Sequence, residues 1–377
     1  MSAAAVTVEG LSIDYVVGAG RFHAVSDVSL EVPTGHVVGI VGETGCGKST
    51  LAQAIPRLLP EPPATIGSGR ILFHGIDLVR VPLWKMPALR GTGISMIFQE
   101  PLNSLNPAFR VYDQLVEAVQ IRRRREAGGP VVDRRETPPF DYSRRPAPGA
   151  AEVLARPVVP PGAAAARRSA GPRHPELREE VLDYLRLVRI NDPETILDLY
   201  PHELSGGMRQ RVMIAMALSE KPALLIADEP TSALDVTIQA QVLTLMKDLI
   251  EEVQTSILFI SHDLGVIAET ADEVGVMYAG RLIEFGPVAD LFRSPRHPYT
   301  KALLRASPTR YKSDGPLSSI DGAVPNLAHP PAGCRFHPRC PIPRPVCRVD
   351  PPPPLRPIDG AVHASACHFA EEVASLP

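Results

Sequence analysis

Apolar and polar positions alternate roughly every second residue through VTVEGLSIDYVV and FHAVSDVSLEV, with Gly18 and Gly20 between the two stretches. Residues 4 to 41 therefore predict short β-runs forming an antiparallel edge. The pattern then changes. HVVGIVG is a continuous apolar run, a glycine-rich turn follows it, and STLAQAIPRLL has helical periodicity, which together predict a strand, a loop and a helix. ISMIF, ALLIAD and SILFIS predict three more buried strands, flanked by helical segments such as VTIQAQVLTLMKDLIEEV. Strands alternating with helices imply an α/β fold with a mainly parallel sheet covered on both faces.

Between residues 122 and 175 this periodicity stops. The stretch holds ten prolines, twelve arginines against five acids, and the run Ala163 to Ala166, so it cannot bury enough apolar surface to offset the entropy of ordering. It reads as a flexible insertion of the compact domain; the alternative is a basic arm that touches lipid head groups or RNA. Prolines collect again after residue 324, marking a second segment outside the main fold. Elsewhere, 44% hydrophobic and 21% charged residues give the balance of a soluble globular protein, and 377 residues suffice for one large domain plus an appendage. A formal charge of -3 supplies no bulk attraction to nucleic acid or anionic lipid. No basic stretch leads into an apolar one at the start, and no apolar run is long enough to cross a bilayer, so a cytoplasmic chain that reaches a membrane only through other proteins is expected.

The chemistry lies at strand ends. GETGCGKST matches the phosphate-loop pattern, directly after a predicted strand and before a predicted helix. Gly42, Gly45 and Gly47 let backbone N–H groups, including that of Cys46, turn inward on a polyphosphate. Lys48 is expected at the β- and γ-phosphates, Ser49 at Mg²⁺ and Thr50 at a phosphate oxygen. LLIADEP ends a buried strand in two carboxylates: Asp228 for the Mg²⁺ shell and Glu229 to polarise the attacking water. Gln99, closing ISMIF, is a candidate ligand of metal and water, and His262, closing SILFIS, is a candidate contact of the γ-phosphate. Taken singly, either is an ordinary strand-end polar residue. Taken together, they converge on one crevice of a parallel sheet.

LSGGMRQ at residues 204 to 210 makes the loop more than generic: the chain resembles the ABC ATPases. The resemblance implies a P-loop ABC ATPase with a RecA-like parallel-sheet core, an antiparallel β subdomain, a helical subdomain over about residues 100 to 215 and a Cys-rich C-terminal extension. The division is expected at residues 4 to 305 and 306 to 377. In that family the LSGG segment caps ATP bound to the partner's phosphate loop. Ser205, Gly206 and Gly207 open a helix here, so a hydroxyl, N–H groups and the helix dipole would face the γ-phosphate. The resemblance further places Asp235 in a loop that communicates across the dimer, and Tyr15, with Phe22 as rival, against the adenine. FQEPLNSLNP, DEPTSALDVT and VMYAGRLIEFGPVADLFRSPRHPYTKALLRASP are similar to the oligopeptide, dipeptide and nickel group of importer ATPases, and Met208 to the first of the two ATPase types that pair there. Glu100 departs from the aspartate of many relatives. The implied partners are a second, similar ATPase, two membrane permeases and, indirectly, an extracytoplasmic solute-binding protein, with no nucleic acid. A nickel or other small-solute importer, and a soluble ABC ATPase without permease, are the alternatives.

Of five cysteines, four fall in the tail: Cys334, Cys340, Cys347 and Cys367, spaced C-x5-C-x6-C-x19-C. A reducing compartment disfavours disulfides. Zinc sites usually contain a tight C-x2-4-C pair, absent here, whereas a [4Fe-4S] cluster needs four cysteines without that constraint. The tail resembles that of the peptide-importer ATPases, some of which hold such a cluster. A [4Fe-4S] site is expected, with zinc and unligated thiols as alternatives and His337, His363 and His368 as substitute ligands.

Overall fold

The computed structural model describes residues 4–18, 20–99, 104–127, 174–231, 239–306 apart from 243, 247 and 249–254, 319–358, 362–373 and 375. The alternating segments form two long strands, β1 (Ala4–Val17) and β2 (Gly20–Pro33), paired antiparallel. With β4 (Ala64–Phe73) and the short β5 (Ile76–Asp77) they complete a sheet of order β2-β1-β4-β5.

The continuous apolar runs form the second sheet. β3 (Val37–Val41), β6 (Ile94–Ile97), β7 (Leu224–Asp228), β8 (Ser256–Ile260) and β9 (Glu273–Tyr278) run parallel, and β10 (Arg281–Pro287) returns antiparallel to β9. Every residue of β3, β7 and β8 is buried, which is why these strands read as unbroken apolar stretches. The C-terminal segment adds β11 (Arg356–Pro357) and β12 (Ala364–Ser365), so the eight-stranded order is β11-β12-β10-β9-β3-β8-β7-β6. The extension is thus stitched to the main sheet through β12 on β10.

Nine helices with complete bounds are described. Helix α1 (Lys48–Ala54) is shorter than its sequence pattern: Ile55 keeps helical angles, but Pro56 has no N–H to continue the hydrogen-bond ladder and Arg57 turns into the left-handed region (φ 55°). Helices α2 (Val111–Glu126), α3 (Arg178–Leu187), α4 (Pro193–Asp198) and α5 (Gly206–Ser219) pack against one another, and α5 also meets β6. Helices α6 (Leu264–Thr270), α7 (Val288–Arg293), α8 (Pro298–Ala306) and α9 (Ala370–Val373) complete the set. Of VTIQAQVLTLMKDLIEEV, helical residues lie between positions 239 and 248.

One boundary needs correction. Residues 122–126, read as the start of the proline- and arginine-rich insertion, are the last turn of α2. Arg122 is buried there, donating to the Tyr184 hydroxyl at 2.9 Å and pairing with the Glu180 carboxylate on α3. Residues 128–173 of the insertion lie outside the described residues.

Candidate active site

Strand β3 delivers the chain into the phosphate loop, whose path demands glycine. A Cβ on Gly42 (φ 153°) would stand 2.2 Å from the Met277 carbonyl oxygen, and one on Gly47 (φ 104°) 2.3 Å from that of Ala24. The loop is therefore gripped between β9 and β2, closer than any side chain permits. Gly45 (φ 79°) is exposed at the turn. The Cys46 side chain instead points into the core, where burial raises its thiol pKa, and its N–H closes a turn onto the Glu43 carbonyl at 3.2 Å. Lys48 is 4% exposed, and its ammonium donates to the carbonyls of Gly42 at 2.8 Å and Glu43 at 3.1 Å. Thr50 follows, half-buried, in the first turn of α1.

Ser49 donates its hydroxyl to Asp228 at 3.0 Å, joining the loop to the end of β7. Asp228 is 2% exposed. Burial, with the adjacent Glu229 charge adding, pushes its pKa up to about 6, against the opposing pull of the Ser49 hydrogen bond and the Lys48 charge. Glu229 sits in the left-handed region (φ 45°), an uncommon place for a residue with a side chain, and its N–H donates to the Ile260 carbonyl at 2.9 Å. Its Oε2 accepts from Gln99 Nε2 at 3.0 Å and lies 3.2 Å from His262 Nδ1. Strand order explains this convergence: β6 and β8 flank β7, so the residues just past their ends reach Glu229 from opposite sides.

The two aromatic rivals prove to be neighbours, Tyr15 and Phe22 being direct partners across the β1–β2 pair. Ser205 caps α5, its Oγ accepting the Met208 N–H at 3.3 Å, with Gly206 and Gly207 in the first turn. Among the described residues no hydrogen bond or ion pair joins this segment to the phosphate loop. Asp235 and Glu100 lie outside the described residues.

In the extension, Cys334, Cys340, Cys347 and Cys367 all border one cavity. The sulfur of Cys367 accepts the backbone N–H of Phe369 at 3.4 Å, and the backbone around Phe336 and Ile342 pulls the thiol pKa values of Cys334 and Cys340 down against burial. Burial raises the thiol pKa of Cys334 to about 11 and of Cys367 to about 12, with neighbouring cysteines adding. Among the described residues no three His, Cys, Asp or Glu side chains converge tightly enough to hold a single metal ion. Tetrahedral zinc would need sulfurs about 3.8 Å apart, as its bond lengths dictate. His337 and His368 line the cavity, whereas His363 is not on its wall, its Nε2 lying 2.8 Å from the fully buried Glu284 carboxylate. His297, also on the cavity wall, is 1% exposed, and burial lowers its pKa to about 3, leaving it neutral.

Sequence reading missed a connection between the two sites. Arg339, beside Cys340, grips the Glu43 carboxylate of the phosphate loop with both guanidinium nitrogens, at 2.8 and 3.1 Å. The Tyr299 hydroxyl accepts the Glu43 N–H at 3.0 Å. With Arg339 and Glu43 separated by 296 positions in the sequence, no local pattern signals the pair.

A gripped phosphate loop on a parallel sheet, with an acid pair two strands away, is the architecture of the P-loop nucleotidases. Residues 25–232 match the family model described as ABC transporter, and residues 283–347 match the oligopeptide/dipeptide transporter C-terminal region. The chain belongs to the ABC transporter family, in the group that carries this C-terminal region. It is 45% identical over 354 residues to a probable peptide ABC transporter ATP-binding protein, y4tR, of Sinorhizobium fredii, covering 94% of this chain and 91% of the relative. The dipeptide transport ATP-binding protein DppD of Bacillus subtilis is 42% identical over 352 residues, with 93% and 91% covered. The dimeric structure of the bacterial ABC transporter cassette MJ0796 superposes with a TM-score of 0.55 at 21% identity, covering 75% of this chain and 98% of that one, a likeness of fold.

Proposed function

We propose that this chain is the ATP-binding and ATP-hydrolysing subunit that energises an ABC importer of dipeptides or oligopeptides. Membership of the ABC transporter family and the peptide-transport names of relatives covering most of the chain support it. The observation that carries hydrolysis is the Glu229 carboxylate, held between Gln99 and His262 beside the Ser49–Asp228 pair. Glu229 polarises the attacking water, and Gln99 orients both this carboxylate and the water. His262 stabilises charge developing on the γ-phosphate. Mg²⁺ would be held by Ser49, Gln99 and Asp228, and would supply positive charge to offset that of the transferring phosphoryl group. Lys48 exchanges its two loop carbonyls for phosphate oxygens.

Ser205, Gly206 and Gly207 act on the nucleotide of a partner, so two subunits close head to tail over two ATP molecules. The partner is a second, similar ATPase, and closure switches two permeases between access states at the cytoplasmic face of the membrane. No helix among the described residues is long and apolar enough to cross it. Residues 4–305 form the ATPase unit and 306–377 the extension.

Cys334, Cys340, Cys347 and Cys367 would hold a [4Fe-4S] cluster. The cavity that all four cysteines border, and the Phe369 N–H on the Cys367 sulfur, support that assignment. A bound cluster supplies one-electron chemistry or simply a rigid staple. An anaerobic preparation containing iron and sulfide at about four per chain is expected; a colourless one containing zinc and no iron would end the assignment.

The test of the main reading is ATP turnover and crosslinking of wild type and Glu229→Gln, each co-expressed with permeases and partner ATPase. Loss of turnover with an ATP-trapped complex that includes the permeases is expected. Loss of turnover with no permease ever co-purifying would favour a soluble ATPase instead.

A further inference from the structure

Glu43 occupies the second position of the phosphate loop, and all its polar groups are tied. Its carbonyl accepts from the Lys48 ammonium and from the Cys46 N–H. Its own N–H goes to the Tyr299 hydroxyl, and its carboxylate lies against Arg339. The backbone that shapes the loop around Lys48 is therefore held from the C-terminal side by two side chains.

Both struts lead to the four-cysteine cavity. Arg339 precedes Cys340, its side chain is 4% exposed, and its remaining N–H groups bond the Ile320 and Asp321 carbonyls at 3.0 and 2.9 Å and the Tyr278 hydroxyl at 3.3 Å. Tyr299 packs its ring against Tyr278 and Phe336, and its N–H donates to His297 Nδ1 at 3.1 Å. His297 and Phe336 both line the cavity. A guanidinium with every bond direction assigned, buried against a planar carboxylate, fixes position as well as charge.

We propose that Arg339 is a positioning residue for the phosphate loop, acting through Glu43 so that nucleotide affinity depends on the C-terminal cysteine module. This rests on residues 42–50 being the nucleotide site. Arg339 touches no nucleotide itself; it restrains the backbone from which Lys48 and the loop N–H groups act. A loop released from this grip samples other conformations, and only the competent fraction binds.

The experiment uses the full chain in four forms: wild type, Arg339→Ala, Glu43→Gln and the double variant, with Arg339→Lys as the conservative control. Amide hydrogen exchange of residues 42–50 is measured without nucleotide, and Mg-ATP affinity by calorimetry. Arg339→Ala is expected to speed exchange in the loop several-fold, leave the β1–β4 pair unchanged and weaken Mg-ATP binding about tenfold, a typical coupling. Arg339→Lys, which keeps the charge and loses the fork, falls between. Glu43→Gln produces the same shift, and the double variant is no worse than either single one. Wild-type exchange and affinity in Arg339→Ala would overturn the proposal, as would effects of the two single variants that simply add. If wild type showed no Lys48-dependent binding of Mg-ATP, the nucleotide reading would fall, while the exchange comparison would still decide the Arg339 coupling.

Discussion

Asp228, the carboxylate proposed to hold Mg²⁺, is kept in reserve by its burial. Its native pKa, raised to about 6, lies above the ordinary value of 3.8, so between about pH 4 and 6 the native chain holds a proton that the unfolded chain has released. Without nucleotide, its contribution to stability therefore falls as pH rises through that window. Mg²⁺ reverses the balance, because it takes the ionised form. Mg-ATP affinity should thus drop by up to about tenfold per unit as pH falls below 6, measurable by calorimetry. Asp228→Asn should abolish Mg²⁺-dependent turnover yet raise the thermal midpoint of the nucleotide-free chain at pH 8, with little change at pH 5. A lower midpoint at pH 8 would contradict this account. The placement of these residues at strand ends was legible because each follows an apolar run that must be a buried strand. Their mutual contacts were not: that Gln99 and His262 meet on Glu229 follows from β6 and β8 flanking β7, an order no local pattern encodes.

At the scale of elements, sequence reading worked wherever burial is uniform or strictly alternating. β3, β7 and β8 are buried throughout, and β1 and β2 alternate roughly, so their types were plain. It failed where composition misled. The arginines at 122–125 look like the opening of a basic insertion, but α2 continues through Glu126, because Arg122 finds Glu180 and Tyr184 on α3. Two-residue strands such as β12 carry too little pattern to be seen at all. The Arg122 cluster gives a direct check. Arg122→Ala removes the buried guanidinium and its bonds to Glu180 and Tyr184, while Arg123 still pairs with Glu180, and should lower unfolding free energy by about 1.5 kcal/mol, read from urea denaturation. Arg124→Ala, whose side chain is exposed one step along the same turn, should change it by less than about 0.5 kcal/mol.

The whole molecule carries the two parts expected to bind nucleotide without a bond between them among the described residues. The phosphate loop with Lys48 and Glu229 lies at the ends of the parallel strands, while Ser205 caps α5 with its hydroxyl exposed and, among the described residues, no bond to that loop. Neither half alone surrounds a triphosphate, since a γ-phosphate needs donors on the side away from the loop to offset its charge. On the proposed reading, a second subunit supplies them. If closure works this way, Glu229→Gln, which binds ATP without consuming it, should associate with the partner ATPase only when Mg-ATP is present. Light scattering after size exclusion would show the combined mass. Ser205→Arg, which places a long cation where the cap must approach, should abolish that association while ATP binding to its own phosphate loop stays within about twofold, since among the described residues Ser205 makes no bond to that loop. Association that persists in Ser205→Arg would mean that the subunits meet through another surface. The LSGG segment would then need a different role.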